Sequence, residues 1–156
     1  MFALSVAVEI NPPGASPLLT REEVWRGLTM KAENALPFVP AMQSCSVLER
    51  FENGLVREVV ARGERFTERV TFTPPIQVLF ERQDERGNAA GWITNVISES
   101  DRGLLLTFTF EVAIAGVLSG SVQEQQRGDE MKGSYVDAVR ATLAAVRKLK
   151  LERGSS

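Results

Sequence analysis

Apolar and polar residues alternate along most of this chain, and where the alternation lapses the spacing turns helical. Phe2, Leu4, Val6, Val8 and Ile10 share one parity while Ser5 and Glu9 fall on the other, which is the period of a half-buried strand. The loop NPPGASP ends it, because proline cannot donate to a ladder and glycine and serine favour turns. Thr20 and Glu23 then stand at the spacing of a capping box, in which each side chain satisfies a backbone N–H at the other position. Leu19 and Val24 have the spacing of the accompanying hydrophobic staple. Trp25, Leu28 and Ala32 form the apolar stripe of the helix that this cap starts. Pro37 and Pro40 limit the stretch ALPFVPAM to a short helical turn or an irregular link.

From residue 44 to residue 112 the period is two. Candidate strands are SCSVLERF, LVREVVA, RFTERVTFT, IQVLFER, GWITNVISE and GLLLTFTFEV, separated by turn-forming runs such as Glu52-Asn53-Gly54 and Pro74-Pro75. Separators this short favour an antiparallel meander, since parallel neighbours need long crossovers. The small-residue stretch AIAGVLSGS leads to a final helix over residues 123–151, where Met131, Tyr135, Val139, Thr142, Val146 and Leu149 recur in steps of four and three. At ~1.5 Å per residue this helix is roughly 40 Å long, enough to cross a sheet. Gly128 and Gly133 weaken its first turns, and the tail over residues 153–156 is expected to fray.

One helix cannot cover seven strands unless the sheet curls around it. The expected fold is therefore α+β: one domain over residues 1–156, with a curved seven-stranded antiparallel sheet wrapped around the C-terminal helix and two short helices after the first strand. Such a geometry leaves room for a cavity between helix and sheet.

Four stretches in this order, LTREEVWRGLTMKAENALPFVPAMQSCSVLER, ERVTFTPPIQVLFE, GWITNVI and GLLLTFTFE, resemble the AtaL-like family of the START-related, birch-pollen-allergen-like superfamily (SRPBCC). The resemblance implies a helix-grip fold that takes lipids, hormones, polyketides or other hydrophobic molecules into its cavity. Some members of that superfamily are cyclases, dehydratases or hydroxylase subunits. The family brings no catalytic motif to carry across, so candidate site residues come from this chain's own periodicity.

Composition narrows the chemistry. With 44% hydrophobic and 24% charged residues the chain is ordinary for a globular protein, and its net charge of −2 without a basic block disfavours nucleic-acid binding. No segment approaches the ~20 apolar residues of a bilayer span. The N-terminus lacks the basic region of a secretion signal, so a cytoplasmic location is the default. There is no histidine, which removes Ser-His and Cys-His nucleophile pairs and histidine-bearing zinc sites; no metal and no cofactor are expected. The lone Cys45 reads as a small buried hydrophobe rather than a nucleophile.

Polar residues on apolar parities are the informative ones. Glu68 shares a face with Phe66, Val70 and Phe72, unless a bulge flips the register. Arg57 shares parity with Leu55 and Val59, with Glu58 as the alternative inward residue; Asn95 shares parity with Ile93 and Ile97; Tyr135 lies on the helix stripe. Each has a plainer reading, as a strand-end carboxylate, a snorkelling arginine, a structural amide or a core tyrosine. Together with Phe72, Trp92, Phe108, Phe110 and Met131, these four are the candidate ligand-binding residues. The leading expectation is a binding protein for a small hydrophobic or aromatic molecule. The alternative is a cyclase-, dehydratase- or isomerase-type enzyme in which Glu68 or Tyr135 transfers a proton and Arg57 or Asn95 holds an oxyanion, with Glu68 raised in pKa by burial. Whether the chain is an enzyme stays open at this point, and so does the choice between monomer and homodimer.

Overall fold

The alternating segments pair with one another in the order in which they leave the chain. In the computed structural model, which describes residues 1–154, the strands are β1 (Phe2–Glu9), β2 (Met42–Phe51), β3 (Gly54–Ala61), β4 (Glu64–Thr73), β5 (Gln77–Gln83), β6 (Ala89–Ser100) and β7 (Gly103–Val112). Helix α1 (Arg21–Glu33) lies between β1 and β2, and α2 (Val122–Gly154) follows β7. The curved sheet runs in the order β1-β7-β6-β5-β4-β3-β2, with every neighbouring pair antiparallel. A meander of six strands thus receives the N-terminal strand on its last edge.

The local signals act as their chemistry requires. Thr20 caps α1 through both arms of the capping box, and Leu19 and Val24 are buried beside it. Bulges within β2 and near the end of β5 are confined to their own pairs, and β4 keeps continuous register on both sides. One expectation needs correction. The link through Pro37 and Pro40 is a single turn, closed where the Ala35 carbonyl accepts from the N–H groups of Phe38 and Val39, and not a second helix. Proline denies the next turn a donor and turns its predecessor away from the α region. At the other end, α2 includes Arg153 and Gly154, the first half of the tail expected to fray; the second half lies outside the described residues.

The core fills the inner face of the sheet and is closed by both helices, with Phe108, Leu106, Ile97 and Val78 meeting Val24, Leu28, Val139 and Val146 in one cluster. Two glycines set how closely the elements approach. At Gly27 of α1 a Cβ would stand 2.3 Å from Val146 Cγ2 of α2, so the missing side chain lets the helices touch. At Gly128 a Cβ would stand 2.2 Å from the Phe2 ring, so a residue that weakens the helix also seats the first strand beneath it. No helix among the described residues is long and apolar enough to cross a membrane.

The Gly27 contact is open to measurement. Gly27→Ala gains up to about 1 kcal/mol of helix propensity but overpacks Val146, which costs about 1–3 kcal/mol. Urea unfolding is expected to show net destabilisation. That loss shrinks in a Val146→Ala background, where the methyl group that clashes is gone.

Candidate functional site

Register places the charged residues before any side chain is considered. Arg57 of β3 faces Glu68 of β4, and Glu68 faces Arg82 of β5, so the three stand in a row across the inner sheet. Glu68 is 0% exposed and Arg57 2%. Arg57 Nε and Nη2 donate to Glu68 Oε1 at 2.9 and 2.8 Å, and Arg82 Nε and Nη2 donate to Oε2 at 2.9 and 2.8 Å. Arg57 Nη1 donates to the carbonyls of Lys31 and Ala32 at 2.9 and 3.0 Å, two acceptors that the end of α1 leaves open. The Arg57 guanidinium lies 4.9 Å from the Phe80 ring centroid, and that of Arg82 lies 4.4 Å from Phe66.

Burial pushes the Glu68 carboxyl up, but Arg82 and Arg57 outweigh it and hold its pKa at about 2. It is a fixed anion at any physiological pH. The expectation of a raised pKa, and with it proton transfer by Glu68, does not survive: both oxygens are occupied and the proton is unavailable.

Above this row lies a cavity of about 290 Å³ between the sheet, α1 and α2. Its walls include Phe66, Phe80, Ile93, Phe108, Phe110 and Met131, and its polar floor is Lys31, Arg57, Glu68 and Arg82. Tyr135 stacks on Phe110 with ring centroids 4.2 Å apart, as the facing stripes of α2 and β7 require. Burial raises the Tyr135 hydroxyl pKa while Arg62 and Arg82 offset part of the shift, so it stays protonated at neutral pH. Exposed Arg62, Glu64, Arg127 and Glu130 form the charged rim.

Six of the nine candidate ligand-binding residues line the cavity: Arg57, Glu68, Phe108, Phe110, Met131 and Tyr135. Three do not. Trp92 sits on the outer face between Glu81 and Glu111 and is 39% exposed, because it falls on the opposite parity to Ile93 and Asn95. Phe72 packs edge-on against Trp25, ring centroids 6.2 Å apart, where α1 covers the sheet. Asn95 is 0% exposed and accepts from the Lys31 ammonium at 2.5 Å, beside the cavity rather than in its lining. Cys45 is half-buried, with Arg57 Nη1 3.7 Å from its sulfur.

The periodicity alone missed Lys31 and Arg82. Arg82 shares parity with Val78 and Phe80, and Lys31 falls three residues after Leu28 on the α1 stripe, so both carried a signal. Each was obscured by its place near the end of its element, where a cation has an ordinary surface role.

Removing the central carboxylate strands buried Arg57 and half-buried Arg82. Glu68→Gln is expected to lose about 3–5 kcal/mol of stability, the usual result of breaking a buried ion pair from one side. A pKa depressed from 4.5 to about 2 also contributes stability that is present above pH 4.5 and lost as pH falls toward 2. Urea midpoints of the wild type should drop across that window, and those of Glu68→Gln should lack this component.

The sequence model of the family described as Acetylaranotin biosynthesis cluster protein L, AtaL, matches residues 4–153. A relative of that description from Aspergillus terreus (strain NIH 2624 / FGSC A1156) is 28% identical over 156 residues, covering 98% of this chain and 92% of its own. The ZhuI aromatase/cyclase from Streptomyces sp. R1128 has a TM-score of 0.62 at 19% identity, over 94% of this chain and 93% of its own. XoxI from Bacillus cereus has a TM-score of 0.65 at 18% identity, over 96% of this chain and 99% of its own. At these identities the solved structures share the fold alone, a curved antiparallel sheet gripping a long C-terminal helix. The chain belongs to the AtaL family.

Proposed function

We propose that this protein binds a small, largely aromatic molecule of the polyketide kind between the sheet and α2, with an oxygen-bearing edge turned toward Lys31 and Arg82. One observation carries this reading: the cavity has aromatic walls and a floor of three cations with one carboxylate among them. Its volume of about 290 Å³ lies near the lower edge of the roughly 300–1,000 Å³ typical of ligand sites. That is room for a compact ring system rather than a long acyl chain. Because Arg57 and Arg82 share the single charge of Glu68, the floor keeps a positive surplus. It favours a phenolate, an enolate or a carboxylate over an ammonium group. The descriptions of the relatives support the reading, since one comes from a biosynthesis cluster and ZhuI is an aromatase/cyclase. All the residues involved come from one chain, so the reading requires no second copy.

A cyclase-, dehydratase- or isomerase-type reaction is the second reading, and Tyr135 favours it. A protonated hydroxyl stands in the lining beside Arg62, where it can give a proton to a developing enolate held by the cationic floor. On this reading Tyr135 is the acid, and Glu68 only positions its two arginines.

Binding can be read with 8-anilinonaphthalene-1-sulfonate fluorescence and its displacement by 2-naphthoate. Ala138 lines the cavity from α2, so Ala138→Phe places a ring where the ligand would lie. The expected outcome is a loss of about tenfold or more in affinity for both probes, or about 1.4 kcal/mol, with an unchanged circular dichroism spectrum. Equal affinity in a folded Ala138→Phe variant would place the probes outside the cavity and sink the proposal.

A further inference from the structure

Lys31 is the one floor residue that the ion-pair row does not use. It stands in the last turn of α1, is 5% exposed and lines the cavity. Its amine donates to Asn95 Oδ1 at 2.5 Å and lies 4.2 Å from the Phe108 ring centroid and 5.1 Å from that of Phe80. Among the described residues no carboxylate pairs with it, because Arg57 and Arg82 hold both oxygens of Glu68. The other three lysines differ. Lys132 pairs with Asp129, Lys150 pairs with Glu23, and Lys148 is exposed.

A buried amine of this kind is chemically distinct. Loss of water, with Arg57 adding like charge and Glu68 offsetting part of it, lowers the Lys31 pKa from 10.5 to about 7. Near neutral pH roughly half of it carries a free lone pair, against about one in three thousand for an ordinary lysine. Asn95 fixes the amine, and its own Nδ2 is buried without a hydrogen-bond partner among the described residues.

From this geometry we infer that Lys31 is a nucleophile that captures carbonyl-bearing ligands, β-diketones above all, as a covalent imine within the cavity. The inference rests on the cavity-binding reading above and deepens it. The Nζ lone pair attacks the carbonyl carbon; a C–N bond forms and the C=O π pair moves to oxygen. The carbinolamine oxygen then departs as water with the two protons first carried by the amine, leaving C=N. With a β-diketone, a proton moves from the intervening carbon to nitrogen and the product rests as a conjugated enaminone. No oxidant, reductant or co-reactant enters. Asn95 serves as a positioning residue.

Benzoylacetone is a suitable probe, read on the full chain by enaminone absorbance, intact mass and 8-anilinonaphthalene-1-sulfonate displacement. One adduct of probe less water is expected, mapped by a missed tryptic cleavage at Lys31. Adduct formation should rise about tenfold between pH 6 and pH 8, against about a hundredfold for a lysine with an ordinary pKa. Lys31→Met is expected to abolish the adduct with an unchanged circular dichroism spectrum, and Lys148→Met to leave both adduct and fluorophore binding intact. Should Lys31→Met not fold, suppression of the wild-type adduct by saturating 2-naphthoate replaces it. Displacement of the fluorophore without an adduct overturns the imine and leaves the cavity reading standing. Neither displacement nor adduct overturns both. An adduct confined to Lys132, Lys148, Lys150 or the N-terminus overturns the imine alone.

Discussion

A carboxylate with no exposed surface, held between two guanidinium groups, is the constraint on which the rest of this molecule depends. None of the three could be buried alone, since an unpaired charge in a dry interior costs several kcal/mol even after relaxation. Their pairing requires β3, β4 and β5 to lie in one register, because a slip of one residue would turn Glu68 outward and leave two arginines facing each other. Arg57 extends the constraint beyond the sheet: its third nitrogen takes the last open carbonyls of α1 and fixes where that helix stops. The buried ions contribute specificity of arrangement more than net stability, which comes from the surrounding apolar cluster.

The same arrangement shapes the site. With Glu68 committed on both oxygens, the acid–base role that its burial suggested is closed, and the reactive potential of the floor passes to groups it does not neutralise. Lys31 is carried to the cavity by the turn of helix that Arg57 anchors, yet has no anion of its own. Tyr135 reaches the same space from α2 through its stack on Phe110. The apolar chamber thus carries cations and a phenol inside and its carboxylates other than Glu68 only at the rim, which is what the proposed oxygen-bearing ligand requires.

Much of this is legible in the amino-acid sequence alone. Alternation is a strong signal where one face is buried, so the strands and the inward turn of Arg57, Glu68 and Asn95 could be read from parity. The capping box at Thr20 did the same for α1. Where one parity rule gave incompatible answers, as for Trp92 against Asn95, only the structure decided, and the ring went to the outer face. Phe72 was correctly inward but lies beneath α1, and no periodicity says which length of a strand a helix will cover. Lys31 and Arg82 were obscured for a related reason: a cation at the end of an element looks solvated until the curl of the sheet is known.

The rim has a kinetic consequence. Arg62 occupies the tight turn between β3 and β4 in the left-handed region at φ 53°, and its guanidinium lies 5.4 Å from the Tyr135 ring centroid. Together with Glu64, Arg127 and Glu130 it encloses the mouth with long, exposed side chains mounted on a short turn and a regular helix. Such side chains change rotamer in picoseconds to nanoseconds, whereas separating α2 from the sheet would take collective motion thousands of times slower. A guest small enough to pass between these side chains therefore exchanges without the fold opening. A larger one must wait for the helix, so under the proposed binding function the entrance would sort molecules by residence time as well as by fit.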